Sequence, residues 1–446
     1  MRETRIAQAS LFDNYSKHEF GIQLEALSRV LDEHTEILTL IKKDLIDNSV
    51  KNVGRNGLSV ESVFRCLLLK QQLQVSYEQL SFHLSDSMSY RTFTRLPEGW
   101  SPKRSVLQST IRSIRPETLK KVWEVLSIKW IKEGKMSLEK SRIDSTVVKS
   151  HITPPSDSQL LNDSIRVLSR HFAKSQSTTG VKIRFTDKRK SSKSLAFAIF
   201  NAKKAVKDTL YPAMLVLARV VLRQSERALK KVKAEGTATQ KTQKWIANVE
   251  HFRLLMMQVI NQTQRRVIEK ESVPAAEKIV SIFEEHTDII VKGFRDVQYG
   301  HKVNLSTEDN GFITYFSIED GNPADTDLFL PVLDAHEKNY NSLPKSVVCD
   351  GGYASKKNVS DGRSMGLKHA VFHKRVGISY HEMGVKIKTF KKLRNFRAGV
   401  EGNISELKRA FGGSKAKWKG HDGFKAFVWS SVICYNLVRM ARQQPE

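Results

Sequence analysis

Apolar positions recur at helical spacing through the first 135 residues. In "LSVESVFRCLLLKQQLQVSYEQLSFHL", Val60, Val63, Phe64, Leu67 and Leu68 share one face, and a break near Gln74 and Val75 precedes a second short helix. "SPKRSVLQSTIRSIRPETL" opens on a Ser-Pro helix-entry signal and carries Lys103, Arg104, Arg112 and Arg115. Successive short helices with basic residues suit a helix-turn-helix reader of DNA. A helical domain that only docks on the rest of the chain would show the same pattern.

The period changes at 139–149. "EKSRIDSTVVKS" alternates Ile143, Ser145 and Val147 against Asp144, Thr146 and Val148, and its β-branched residues predict a strand. Residues 158–285 return to helical spacing. One long periodic segment, "SLAFAIFNAKKAVKDTLYPAMLVLARVVLRQSERALKKVKAE", stops near Gly236, and "QKWIANVEHFRLLMMQVINQTQRRVIEKE" is its expected antiparallel partner. Before them lies a basic patch of Lys182, Arg184, Lys188, Arg189, Lys190 and Lys193, readable as a phosphate contact or as a solvated loop.

Strands resume at 297–318 as two β runs around Asp309-Asn310-Gly311, a hairpin signal. "GNPADTD" supplies a turn in which Asp325 and Asp327 read as turn and helix-start residues, followed by a helix through "LFLPVLDAHEKNY". "KSVVCDGGY" has the short apolar run of a strand buried on both faces, and "GLKHAVFHK" predicts another. From about 388 the chain is basic and helical, ending in a core-packing helix. The expected fold is a mixed α/β sheet of about five strands with flanking helices. It divides the chain into a helical region 1–135, a first core strand within 136–157, a helical insertion 158–290 and the rest of the core at 291–446.

Charge adds a partner. Against 47 Asp and Glu the chain sets 74 Lys and Arg, a net charge of +27 over 446 residues. Such an excess repels itself unless a polyanion neutralises it, which points to nucleic acid. Cys66, Cys349 and Cys434 are far apart and flanked by apolar residues, so neither a disulfide framework nor a zinc site is expected. "MRETRIAQASLFD" lacks the apolar core of a signal peptide, and the longest apolar stretches fall short of a membrane span. A soluble cytoplasmic protein is expected.

Three carboxylates stand where chemistry is usually exposed. Asp144 lies within the first strand. Asp350 sits at the carboxyl tip of the buried strand, with Gly351-Gly352 expected to let the backbone turn sharply. Glu401 lies on the terminal helix, where Leu393, Phe396, Val400, Ile404, Leu407 and Phe411 form the buried stripe. At 100° per residue, Arg397, Glu401 and Lys408 share one flank of that stripe, while Glu406 points to the other side, read as solvated. Clustered carboxylates repel one another without a cation. Around divalent metal ions they form an oxygen cage suited to phosphodiester attack, with Arg397 and Lys408 expected to contact phosphate beside the metals. Asp157 and Asp163, close behind the first strand, read as helix caps or as supports of the site. Cys349 reads as a small buried hydrophobe. The tryptophans read as packing residues, with Trp418 in "KAKWKGHDG" open to a role as a wedge between bases.

These residues resemble the DDE transposases of bacterial insertion sequences. "RIDSTVV" and "VVCDGGY" are similar to the strands of the family's first and second Asp. "RNFRAGVEGNISELKRAFG" resembles its signature of Arg, three residues, Glu, six residues and Lys, met by Arg397, Glu401 and Lys408. The signature's Tyr is replaced by Arg394, a third basic residue beside the site. "IDSTVVKSHITPPSDSQLLNDSIRVLSR" and "LSVESVFRCLLLKQQLQVSYEQLSFHLSDSMSYRTF" are similar to a branch with a long region between the Asp residues and to its amino-terminal domain. The resemblance implies a ribonuclease-H-like catalytic core carrying the 158–290 insertion, and catalysis by Asp144, Asp350 and Glu401 on Mg²⁺, two ions with Mn²⁺ able to substitute. It also implies cleavage at element ends, joining to target DNA by the freed 3′-hydroxyl, a dimer that pairs two DNA ends, and association with the nucleoid. Lys103, Arg104, Arg112, Lys188, Arg189 and Lys190 are expected on double-stranded DNA. A metal-dependent nuclease that cuts without joining, and an inactive DNA-binding descendant, remain open at this point.

Overall fold

The computed structural model describes Thr4, Tyr15 and residues 17–46, 57–97, 99–292, 296–373 and 378–443. The amino-terminal stretch considered above as a signal peptide lies outside these, apart from Thr4. The chain forms two compact units, Met1–His151 with Ile290–Glu446, and Ile152–Ile289.

The first unit begins with α1 (Glu19–Asp32), α2 (Ile37–Leu45), α3 (Val60–Leu73), α4 (Tyr77–Asp86), α5 (Met88–Thr94), α6 (Arg104–Arg112) and α7 (Pro116–Lys132). Their ends follow local chemistry. Gln74 terminates α3 in the left-handed region, and Ser76 starts α4 with a reciprocal capping box to Gln79. Strand β1 (Lys140–Lys149) follows, then β2 (Asp288–Lys292), β3 (Asp296–Thr307) and β4 (Ile313–Ile318).

The sheet runs β2-β3-β1-β5-β6, with β4 also paired to β3; β5 spans Ser346–Asp350 and β6 His369–His373. β1 pairs antiparallel with β3 and parallel with β5, which pairs parallel with β6. Without β2 this is an antiparallel meander of three strands extended by two parallel ones, a ribonuclease-H-like arrangement; β2 is a strand the sequence pattern did not announce. Gly311, at φ +81°, makes the hairpin turn between β3 and β4.

Because β1 lies in the middle of the sheet, both of its faces are covered, and its alternation does not separate core from solvent. Val148, Val303 and Leu305 pack with the amino-terminal helices and the last helix in one core. Ile143, Val347, Val348 and Cys349 pack in another, with residues of α12 (Phe329–Tyr340) and α13 (Lys356–Ser364). The carboxyl-terminal helix read as continuous from about 388 is broken into α14 (Ile387–Arg397) and α15 (Gly399–Ala410), hinged at Ala398. It is followed by α16 (His421–Gln443), which is buried along nearly its whole length.

The second unit contains α8 (Asp157–Thr179), α9 (Arg189–Asn201), α10 (Lys204–Glu235) and α11 (Gln240–Thr263) around their own apolar core. Two expectations are corrected here. The long periodic segment breaks at Ala202, where the Asn201 side chain donates to the Phe197 carbonyl and competes with the helical ladder. Helix does not continue to 285. It ends in a π turn at Gln264–Ile268, and Pro274 further on bars its continuation.

Candidate active site

Two of the acidic residues meet through strand register. β1 and β5 run parallel with Ile143 beside Cys349, so the next residues on each strand, Asp144 and Asp350, stand side by side about 4.8 Å apart along the sheet. Asp144 is mid-strand and its side chain is 17% exposed; Asp350 ends β5 and is 48% exposed. Beneath them Cys349 is fully buried, and burial together with the Asp144 charge pushes its thiol pKa well up. It is a hydrophobe in the core and no thiolate nucleophile.

The third carboxylate arrives on a helix held to β1 by a residue the sequence pattern does not single out. Arg142, two positions before Asp144 and on the same strand face, is buried at 7% exposure. Its guanidinium donates to the Phe396 carbonyl at 3.0 Å, to Asn403 Oδ1 at 2.7 Å and to Thr307 Oγ1 at 2.9 Å. It also lies 4.7 Å from the centre of the Phe396 ring. A Cβ on Gly399 would stand 2.0 Å from Arg142 Nη1, so glycine there leaves the space for the clasp. These hydrogen bonds bracket the α14–α15 hinge and fix the turn that carries Glu401. Burying a cation against neutral acceptors costs several kcal/mol in desolvation, a penalty that the core does not require for packing alone.

Arg397 gathers the carboxylates. Its guanidinium lies 3.6 Å from Asp144 Oδ2, 3.3 Å from Asp350 Oδ1 and 3.5 Å from Glu401 Oε1, with only 13% of its side chain exposed. Residues from three separate parts of the chain thus converge on one point, and three negative charges face one positive. Glu406, by contrast, is paired to Arg439 at 2.5 Å and Arg442 at 2.7 Å. The solvated face expected for Glu406 is therefore corrected: the two arginines of α16 hold it half-buried.

Asp325 also belongs to this neighbourhood, although its sequence reads as a turn. Ser145 Oγ donates to its Oδ1 at 2.9 Å, and Lys302 Nζ, on a nearly buried side chain, approaches to 2.6 Å. A Cβ on Gly352 would come within 2.8 Å of Asp325 Oδ2. The chain does turn here, in a 3-10 turn over Gly351–Tyr353, without a positive φ at either glycine; at 352 the missing side chain also admits Asp325. A Ser directly after the strand Asp, followed by a Lys on the paired strand, was the available signal.

The other expected residues are placed as follows. Arg394 is exposed on α14, and Lys408 is half-buried two turns beyond Glu401, about 10 Å along the helix. Lys103 and Arg104 are exposed at the start of α6, with Arg104 3.5 Å from Glu78; Arg112 is exposed and donates to the Lys419 carbonyl. In the second unit Lys188 precedes α9, Arg189 pairs with Asp187 and Lys190 is exposed. Asp157 accepts from Gln262 and Arg266, and Asp163 pairs with Arg166, so both are tied into the helical unit. Trp418 is 6% exposed, stacked near Tyr77 and edge-on to Phe427, which makes it a packing residue.

The donor set fits a hard divalent cation: carboxylate oxygens only, drawn together around one cationic centre, with no thiolate or imidazole among them. Among the described residues, no helix is long and apolar enough to cross a membrane. Residues 293–437 match the family described as "Transposase DDE domain", and residues 13–112 match the "Transposase domain (DUF772)". The first match takes in Asp350, Arg397, Glu401 and Lys408; the second takes in α1 to α6. Comparison with curated proteins and with solved structures gives no match. Two transposase matches in chain order, on a ribonuclease-H-like sheet that brings three carboxylates together, place this chain in the DDE transposases of insertion sequences.

Proposed function

We propose that the protein cuts DNA at the ends of its element and joins the freed 3′-hydroxyl to target DNA, with Asp144, Asp350 and Glu401 as catalytic residues. The observation that carries this reading is the convergence of the three carboxylates on Arg397. The family works with divalent metal ions. Asp144, Asp350 and Glu401 are the residues that would hold them, Mg²⁺ or Mn²⁺ and two in number. Bound there, the ions supply charge stabilisation for the attacking and leaving oxygens of the phosphodiester.

The chain's own groups do the positioning. Asp144 is fixed by the central strand, Asp350 by the parallel neighbour, and Glu401 by the Arg142 clasp, so all three are set before DNA arrives. Arg397 keeps the carboxylates from driving one another apart, and Arg394 and Lys408 extend positive charge from the site toward phosphates. Lys103, Arg104 and Arg112 in the region 1–135, and Lys188, Arg189 and Lys190 in the insertion, provide further groups for phosphate. The DNA is double-stranded, both as element end and as target, and two copies of the chain pair two ends.

The test is a strand-transfer assay with purified protein, duplex DNA carrying the terminal repeats, Mg²⁺ or Mn²⁺ and a target plasmid. Wild type yields joined products, while Asp350→Asn and Glu401→Gln bind DNA but lose cleavage and joining by about 10³-fold or more. Full activity in either variant overturns the assignment; cleavage without joining by wild type makes the protein a nuclease instead.

A further inference from the structure

In the helical unit, α9 shows an exposed face that no packing need explains. Its buried side is Ser192, Ala196 and Ile199. Beside it, centred about 110° round the helix, Lys190, Lys193, Phe197 and Phe200 fall within about 80° of one another at 100° per residue. Phe197 is 70% exposed and Phe200 75%, the two most exposed large hydrophobic side chains among the described residues. The stripe is about 15 Å long.

Charge states what can cover it. From Lys188 to Lys207 every charged residue is basic. The flanking acids are already engaged, Asp187 by Arg189 and Asp208 by Lys270. Lys190, Lys193, Lys203 and Lys204 have no carboxylate partner among the described residues. A second copy of this chain, at +27, would bring like charge to the face. A polyanion that also offers flat apolar surface fits both halves of the pattern, and unpaired DNA is such a polymer: phosphates for the lysines, open base faces for the rings. A closed duplex hides its base faces and would leave the phenylalanines in water.

We propose that the Lys190–Phe200 face of α9 binds an unpaired stretch of DNA, with bases stacked on Phe197 and Phe200 and the backbone on Lys190 and Lys193. This rests on the reading of the protein as a DNA transposase and adds the form of DNA that the insertion takes.

The experiment uses the full chain and two labelled DNAs, one fully paired and one with a short unpaired stretch containing 2-aminopurine. Phe197→Ala/Phe200→Ala should weaken binding to the unpaired probe by about tenfold or more, change duplex binding less than about twofold, and abolish the quenching of 2-aminopurine. Phe197→Tyr/Phe200→Tyr should restore both affinity and quenching. Lys190→Gln/Lys193→Gln should make binding to the unpaired probe less sensitive to salt, the log–log slope falling by about 0.7 for each phosphate no longer neutralised. Equal affinity of the Ala pair for the unpaired probe overturns the inference while leaving the transposase reading intact, as does an unchanged salt slope. A dimer that falls to monomer in the Ala pair also overturns it, assigning the face to a second copy. Failure of wild type to bind either DNA overturns both readings.

Discussion

Around Arg65, two guanidinium groups face two carboxylates; around Arg397, one faces three. In the first cluster Arg65 meets Glu61 at 3.0 Å and Asp32 at 3.1 Å, and Arg95 meets the same pair at 3.1 and 2.6 Å. Ser28 and the Phe93 carbonyl accept further hydrogen bonds from Arg65, which is 1% exposed. Charges balance, donors are used, and the cluster ties α1, α3 and α5 together. Around Arg397 the three carboxylates outnumber the guanidinium that gathers them and open outward, from Asp144 at 17% exposure to Glu401 at 69%. Burial of charge alone does not mark a functional site. Burial with an imbalance that a bound cation could correct is what the proposed site adds.

The balanced cluster should yield the larger stability effect. Arg65→Met leaves the buried Glu61 and the partly exposed Asp32 with half their positive partners, and should cost about 3 kcal/mol or more in urea unfolding. A cost under about 1 kcal/mol would show that the network contributes little and that the contrast is overstated.

Next in size is the clasp that sets the unbalanced cluster. Arg142→Lys keeps the cation but cannot serve the Phe396 carbonyl and Asn403 together. Turnover in strand transfer should fall by about 10- to 100-fold, while the KM for DNA ends holds and the melting temperature moves by only a few degrees. A rise in KM alongside the fall in turnover, or a loss of stability alone, would reduce Arg142 to a packing residue.

The smallest effect comes from a buried group outside both clusters. His336 is fully buried, its Nδ1 2.9 Å from the Val332 carbonyl, and burial lowers its pKa to about 4. Below pH 6.5 the unfolded chain takes a proton that the folded chain refuses until about pH 4. Its contribution is therefore whole above pH 6.5 and is lost as pH falls toward 4. Between pH 7 and 5 this one site should remove about 2 kcal/mol, at about 1.4 kcal/mol per pH unit once the unfolded histidine is charged. In His336→Gln the slope of stability against pH should flatten by that amount; an unchanged slope would mean the ring is protonated in the fold.

What was legible in the chain divides along the same line. Local periodicity located β1, the β3–β4 hairpin, β5 and the helix of Glu401, because each is built from neighbours in sequence. It also set Glu401 and Arg397 on one flank, where the structure has them in contact. The interactions it missed span the chain. Arg142 reaches Phe396 across 254 positions and Asn403 across 261. Ser145 reaches Asp325 across 180. Neither leaves a periodic trace, so Asp325 was read only as a turn residue and Gly352 only as part of a sharp turn. Glu406 was set on the correct side of the helix but assigned to solvent, since the arginines that hold it lie on the next helix. β2 stayed unseen although β5 and β6 are just as short, because Asp288–Lys292 overlaps the end of the segment assigned to the helical insertion.

The central claim is that the imbalance around Arg397 is a divalent-cation site for DNA chemistry. Mn²⁺ titration followed by electron paramagnetic resonance, on protein bound to its DNA ends, tests it most directly. The account predicts saturable binding in wild type, weakening of about tenfold or more in Asp350→Asn, and no change in Glu406→Gln, whose carboxylate is already matched by Arg439 and Arg442. Equal Mn²⁺ affinity in wild type and Asp350→Asn would contradict it.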